Sequence, residues 1–334
     1  MSSRKKQWPQ IYFGLLSTSL STLILELALT RVFSVVYFYH FAFLAISIAL
    51  FGLGAGGVFS YVAAEWRMPL YTKLGVLAIA NSVSIVLCLS FLLSRTGNMT
   101  TPELMAAYFV AAIPFVFSGT IISLVIADTI DRVNRSYFFD LMGAALGCAV
   151  LVPLLNWIGG PNTIIVTAVL FAVSAAIWFH LARSPRGRIL AVLTALVLVA
   201  LITYNSKYFL IDVKYAKGQA LKDEEFVQWN SFSRIALKPE PGSEMKSIVI
   251  DADAATGVAR FEFDHLTEQQ REELAFHGPG LPYVLRPGAN ALVIGPGGGW
   301  DVARALASGS KSITGVEINP IIANTIMRRK FPQY

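Results

Sequence analysis

Three glycines, Gly295, Gly297 and Gly299, stand in the stretch IGPGGGWD, directly after the apolar run ALV and directly before the helix-like DVARALAS. Glycine at such places accepts positive φ and lets the backbone approach a ligand with no Cβ in the way. A helix opening near Asp301 would turn its free amides toward the same spot. Glu317 lies eighteen residues beyond Gly299, close to the roughly twenty at which an acid after the next strand reaches ribose hydroxyls. This spacing offers recognition of a nucleoside or nucleotide; a purely structural turn is the other reading. The order is a buried strand, the loop, a helix, a second strand with an acid near its end, then Asn319-Pro320 opening another helix. That is the first half of a dinucleotide-binding unit.

Upstream, FVQWNSFSRIALK, residues 226–238, reads as a strand rich in aromatic and β-branched residues, EPGSE as a turn and KSIVIDA as the partner strand of a hairpin. A helix follows in LTEQQREELAFHG, where Thr267 and Gln270 have capping-box spacing and Gly278 is placed to stop it.

Before Asn205 the chain has a different character. Apolar residues make up 55% of the whole sequence and charged ones 14%, far from soluble globular usage. Seven apolar segments, near 11–33, 36–63, 73–94, 104–127, 137–158, 162–182 and 188–204, are long enough to span about 30 Å of hydrocarbon. A cleaved signal peptide is not expected, since the first segment is too long and another follows at once. Residues 1–204 therefore read as a multi-pass α-helical membrane bundle, 205–265 as a small β-rich domain and 266–334 as the first part of a Rossmann-like domain.

The net charge of +6 belongs to the membrane part, which has 12 Lys+Arg against 6 Asp+Glu, while the remainder has 15 of each. So balanced a tail excludes nucleic acid as a partner, because phosphate binding needs a clustered basic surface. With the amino terminus in the cytoplasm, Arg4, Lys5, Lys6, Arg67, Lys73, Arg132, Arg135, Arg183, Arg186 and Arg188 fall on the cytoplasmic side, and only Arg31 and Arg95 on the other. This bias sets the orientation, and seven spans then put everything after Tyr204 outside the cytoplasm. Gly143 and Gly147 form a GxxxG that lets helices approach closely in the lipid bilayer. Cys88 and Cys148 are read as packing residues, and no His, Cys or carboxylate spacing suggests a metal.

Two acids lie in apolar surroundings, Glu26 in LILELALTR and Asp140 in YFFDLMG. A bare charge at such depth is costly, so each is expected to face the bundle or find a partner. Glu26 and Arg31 are five residues apart, off the favoured i,i+4 spacing, which leaves a partner on another helix. A proton or substrate path is the alternative role.

From Phe226 onward the chain resembles the spermidine synthase family and its methyltransferase-fold relatives. IGPGGGWD corresponds to that family's loop, commonly IGGGDGG, and VEIN to its VEID; SRIALK, IVIDADAATGV and AFHGPGLPYVL are similar to its strand, Asp-Gly-turn and Tyr-His-Glu segments. Seven spans ahead of such a domain are similar to the membrane-attached, spermidine-synthase-like proteins of bacteria, which implies the bacterial inner membrane. The resemblance implies that Gly295, Gly297 and Gly299 face the nucleoside of S-adenosylmethionine or its decarboxylated form, that Glu317 meets its ribose, and that His277 matches the family's histidine on the substrate side. It also exposes departures. Gly298 stands where the family has the loop aspartate that holds the amine, and Gly278 where Tyr-His-Glu has its glutamate. Asp301 is displaced by three residues and is expected to cap the next helix instead.

Aminopropyl transfer needs a base and carboxylates that orient a cationic amine. In the family those acids follow later strands, whereas this sequence carries two strands of the fold before Tyr334. The expectation is a fragment of a longer protein, or a sheet completed by another chain within a larger membrane complex. Three functions stay open: a membrane-bound transferase using an adenosyl-sulfonium cofactor, a non-catalytic subunit or scaffold with a degenerate domain, and, resting only on Glu26, Asp140 and the glycine-rich second span, a transporter.

Overall fold

The structure is a computed structural model that describes residues 7–37, 39–94, 100–240, 242, 245–262, 265–276 and 278–332. Six helices come first: α1 (Trp8–Val36), α2 (Tyr39–Ala64), α3 (Leu70–Leu93), α4 (Thr101–Asp128), α5 (Val133–Leu181) and α6 (Pro185–Tyr208). All six are long and apolar enough to cross a membrane.

At 49 residues, α5 would be about 74 Å long if straight. It is broken at Gly159, whose φ of 76° and ψ of 175° are not helical, and Pro161 follows. The contacts with α1 show that the chain reverses there. Gly143 and Gly147 lie on Leu16 and Leu20, and Gly160 on Val32, so the first arm ascends α1. Ser174 then bonds Thr18 at 3.0 Å and Trp178 lies on Gly14, so the second arm descends it. The break falls between the apolar segments read at 137–158 and 162–182.

Packing in this unit relies on small residues and internal polar pairs. A Cβ on Gly143 would collide with the Leu16 carbonyl oxygen, and one on Gly147 would come within 3.0 Å of Leu20 oxygen. These two glycines thus form the close α1–α5 crossing expected of their spacing. Gly143→Val should lower the thermal midpoint of the detergent-solubilised chain by several degrees, an overpacking cost of about 1–3 kcal/mol. Gly54→Val, whose added carbon meets open space, should leave that midpoint nearly unchanged. Elsewhere Asn81 Nδ2 donates to Ser118 Oγ at 3.0 Å and Ser82 to the Ala168 carbonyl at 2.7 Å. Lys73, counted among the cytoplasmic charges, is buried and donates to the Ala64 carbonyl at 2.9 Å, so its cation closes the carboxyl-terminal end of α2. Cys88 is buried, whereas Cys148 is exposed and packs no core.

The chain divides into two compact units, Met1–Leu221 with Trp229–Phe232, and Lys222–Gln228 with Ser233–Tyr334. Residues 205–221, read from the sequence with the β-rich region, sit with the helices. There β1 (Tyr215–Ala216) and β2 (Gln219–Ala220) form a small hairpin, tied down where Lys217 N donates to Val36 O at 2.7 Å.

The second unit joins the β-rich and βαβ segments. Its larger sheet has the order β3 (Phe226–Trp229), β4 (Arg234–Pro239), β5 (Lys246–Ile250) and β6 (Ala254–Gly257). The β4–β5 hairpin is antiparallel, with Ile235 opposite Ile250. The single strand expected over 226–238 is interrupted, because the Asn230 side chain accepts from Phe232 N at 3.0 Å and turns the chain. Helix α7 (Glu268–Phe276) starts with the expected capping box: Thr267 N donates to Gln270 Oε1 at 2.9 Å, and Gln270 N to Thr267 Oγ1 at 3.2 Å. Gly278, at φ +63°, follows its end. Then come α8 (Leu281–Leu285), β7 (Asn290–Ile294), α9 (Trp300–Ala307), β8 (Ser312–Val316) and α10 (Ile321–Lys330), the last wound with π-helical bonding. Strands β7 and β8 are parallel, as a strand–helix–strand crossover requires. Ile321, Ile322 and Ile326 of α10 share a core with Ile235, Leu237 and Ile248.

The apolar strand expected to be buried is half uncovered. Leu292 is 64% exposed and Ile294 81%, while Val293 between them is buried. Alternation decides this: Val293 points to the covered face of the two-stranded sheet, and its neighbours point to the open one.

Candidate functional site

Gly295, Gly297 and Gly299 all have positive φ, 72°, 51° and 91°, the backbone region glycine occupies without a steric penalty. The loop they form runs from the end of β7 into α9. Gly297 N–H donates to Glu317 Oε2 at 3.2 Å, and Asn319 N–H donates to Glu317 Oε1 at 2.8 Å. Glu317, just past β8, is thereby held by both of its oxygens, one on the loop and one on the turn leading into α10. Each oxygen keeps a second acceptor direction.

Asn319 holds this arrangement from below. It is buried; its Oδ1 accepts from Ile321 N at 3.1 Å, and its Nδ2 donates to Ser233 Oγ at 2.8 Å. One side chain thus caps α10 and ties the acid to the start of β4. The sequence signal was the Asn-Pro pair, read only as a helix start.

A cleft of ≈ 440 Å³ opens beside the loop, lined by Gly297, Gly299, Glu317, Ile318, Asn324 and Met327 among others. Its size lies within the range of about 300–1,000 Å³ usual for small-molecule sites. Gly295 is not among the lining residues, so it shapes the turn rather than the wall. His277 lies outside the described residues. Arg328 also lines the cleft and donates to Asn324 Oδ1 at 3.2 Å.

Two departures from the spermidine synthase pattern have physical reasons. The Gly298 carbonyl accepts from Ala259 N at 2.8 Å, and a Cβ on Gly298 would overlap the Gly257 carbonyl. This position has no room for an acidic side chain. Gly278 has φ +63°, a backbone conformation that L side chains rarely adopt, so a glutamate there would be strained.

Asp301 does not cap its helix, contrary to the sequence expectation. Gly299, in the left-handed conformation, takes the N-cap place and α9 begins at Trp300. Asp301 falls in the first turn and pairs with Arg304 at 2.9 Å. Burial first, and then the Asp301 carboxylate, hold the Tyr283 phenol above its ordinary range, with Arg304 partly offsetting them.

The two membrane acids are not brought together. Asp140 accepts a short hydrogen bond from Ser19 on α1, the interhelical partner its depth demands. Glu26 lies two turns further along α1, half-buried, and makes no hydrogen bond or ion pair among the described residues. Compared with protein families, curated proteins and solved structures, the chain matches none.

Proposed function

We propose that the second unit binds the nucleoside of S-adenosylmethionine or its decarboxylated form in the cleft beside the glycine loop, as part of a membrane-attached, spermidine-synthase-like protein. One observation carries this reading: the Glu317 carboxylate sits on the Gly297 amide. A loop that grips pyrophosphate offers its amides to the anion. Here a fixed carboxylate already takes one of them. Two unit charges about 4 Å apart repel by about 4 kcal/mol in the dielectric typical of a protein surface. A neutral ribose meets this wall without that repulsion, whereas a pyrophosphate placed on the Gly297 amide does not.

Polyamine synthesis is the part of the family's chemistry that the loop does not support, since Gly298 and Gly278 stand where its acids belong, Gly298 has no room for a side chain and Gly278 has a positive φ that disfavours one. The same fact favours a second reading, a non-catalytic membrane subunit whose degenerate domain docks other proteins. The transporter reading loses support, because Asp140 is tied to Ser19. For the membrane unit we propose seven spans, counting the two arms of α5 separately, with the amino terminus in the cytoplasm; this orientation puts the second unit outside, which favours the scaffold reading over catalysis. The open face of β7 and β8, with Leu292 and Ile294 uncovered, fits a further strand–helix segment from this or another chain, because parallel sheets are normally covered on both sides.

Calorimetric titration tests the cofactor. S-adenosylmethionine should bind the full-length protein and NAD should not. Glu317→Ala should weaken binding about 10–150-fold, the value of a hydrogen bond to a charged group. No binding by wild type, or equal binding by the variant, would remove the proposal. Topology separates transferase from scaffold, since adenosyl-sulfonium cofactors are made in the cytosol. A Gly242→Cys variant lacking Cys88 and Cys148 should be labelled from the cytoplasm if the domain is a transferase, and from outside if it is a scaffold.

A further inference from the structure

The first unit carries a groove unconnected with the nucleoside cleft. It has a volume of ≈ 620 Å³ and is lined by Pro9, Gln10 and Phe13 of α1, by Val173, Ala176, Ile177 and His180 of the second arm of α5, and by Arg188 of α6. The second arm descends α1, so the apolar side chains Phe13 and Val173 lie deeper, and Gln10, His180 and Arg188 gather where α1 begins.

Two observations at that end point to one kind of occupant. Arg188 Nη1 lies 3.3 Å from His180 Nδ1. A guanidinium only donates, so Nδ1 accepts and the imidazole keeps its proton on Nε2. The pair therefore presents further guanidinium N–H groups and one imidazole N–H side by side, a donor set for a phosphate ester. Arg183 and Arg186, both exposed, lie in and just after the turn from α5 to α6, and Arg132 stacks 4.4 Å from the Trp8 ring near the start of α1. No Asp or Glu is among the residues lining the groove.

We propose that this groove binds an anionic phospholipid of phosphatidylglycerol type. One acyl chain lies along Phe13, Val173 and Ile177, and the phosphate rests on Arg188 and His180. Basic pockets between helices at the cytoplasmic membrane surface select such headgroups through the same electrostatics. The proposal rests on the membrane character of the helices and not on the cofactor reading.

Native mass spectrometry of the full-length protein, released from nanodiscs of equal phosphatidylglycerol and phosphatidylcholine with matched acyl chains, tests it. The protein should retain phosphatidylglycerol over phosphatidylcholine by tenfold or more. Arg188→Gln should abolish the preference, whereas Arg183→Gln should keep it. Val173→Trp, which fills the groove and leaves the basic pair in place, should reduce phosphatidylglycerol retention in a chain with unchanged helical circular dichroism. Equal retention of both lipids by wild type, an unchanged preference in Arg188→Gln, or full retention in Val173→Trp would each overturn the assignment.

Discussion

Glu224→Ala should weaken the β4–β5 hairpin by about 3–5 kcal/mol, the loss expected when one partner of a buried ion pair is removed and the other stays behind. Arg234, at the start of β4, is only 1% exposed, and its two terminal nitrogens grip the Glu224 carboxylate at 2.9 and 2.6 Å. Without that carboxylate a guanidinium stays buried with its charge uncompensated. Hydrogen exchange of the Leu237, Ile248 and Val249 amides in the full-length protein reads the change directly, because these residues pair across the two strands. The double variant Glu224→Leu with Arg234→Met should recover much of the loss, since an apolar pair of similar volume carries no stranded charge. If the single variant exchanges at the wild-type rate, the pair does not hold the hairpin.

Gly298→Asp should be the most damaging change in the loop, although it restores the acid of the spermidine synthase pattern. Its Cβ would overlap the Gly257 carbonyl, and relief requires breaking the 2.8 Å bond from Ala259 N to Gly298 O. Overpacking of this kind costs about 1–3 kcal/mol and occasionally more; with the lost hydrogen bond added, the upper end is expected. The variant should bind S-adenosylmethionine more weakly than wild type and should gain no affinity for a diamine. Thermal unfolding together with a diamine titration checks both halves. A stable variant that acquires diamine binding would mean that the loop is not packed on β6.

What could be read in the sequence was what a few neighbouring residues determine. The Thr267–Gln270 box, the glycine stop at Gly278 and the order of strand, loop, helix and strand are local patterns. The reversal of α5 was legible too, because Gly159, Gly160 and Pro161 interrupt an apolar run. The GxxxG at Gly143 and Gly147 gave the crossing but not its partner, α1.

What the sequence withheld depends on residues distant along the chain. Nothing near Gly298 says that Gly257 lies against it, and nothing near Lys73 says that its amine meets the Ala64 carbonyl. Asp301 misled because Asp is a common N-cap, whereas the left-handed Gly299 started the helix two residues earlier. The apolar run of β7 read as buried, yet burial is set by how many faces of a sheet are covered. Glu317 was found by spacing alone, and its bond to Gly297, on which the proposed nucleoside reading rests, appears only in the fold.

Amide hydrogen exchange of the full-length protein, with and without S-adenosylmethionine, tests the nucleoside cleft most directly. Exchange should slow on adding the cofactor, confined to residues 295–302 and 317–328, with no such protection by NAD and much less in Glu317→Ala at the same cofactor concentration. Protection that is absent, or that falls elsewhere in the chain, would contradict the nucleoside reading.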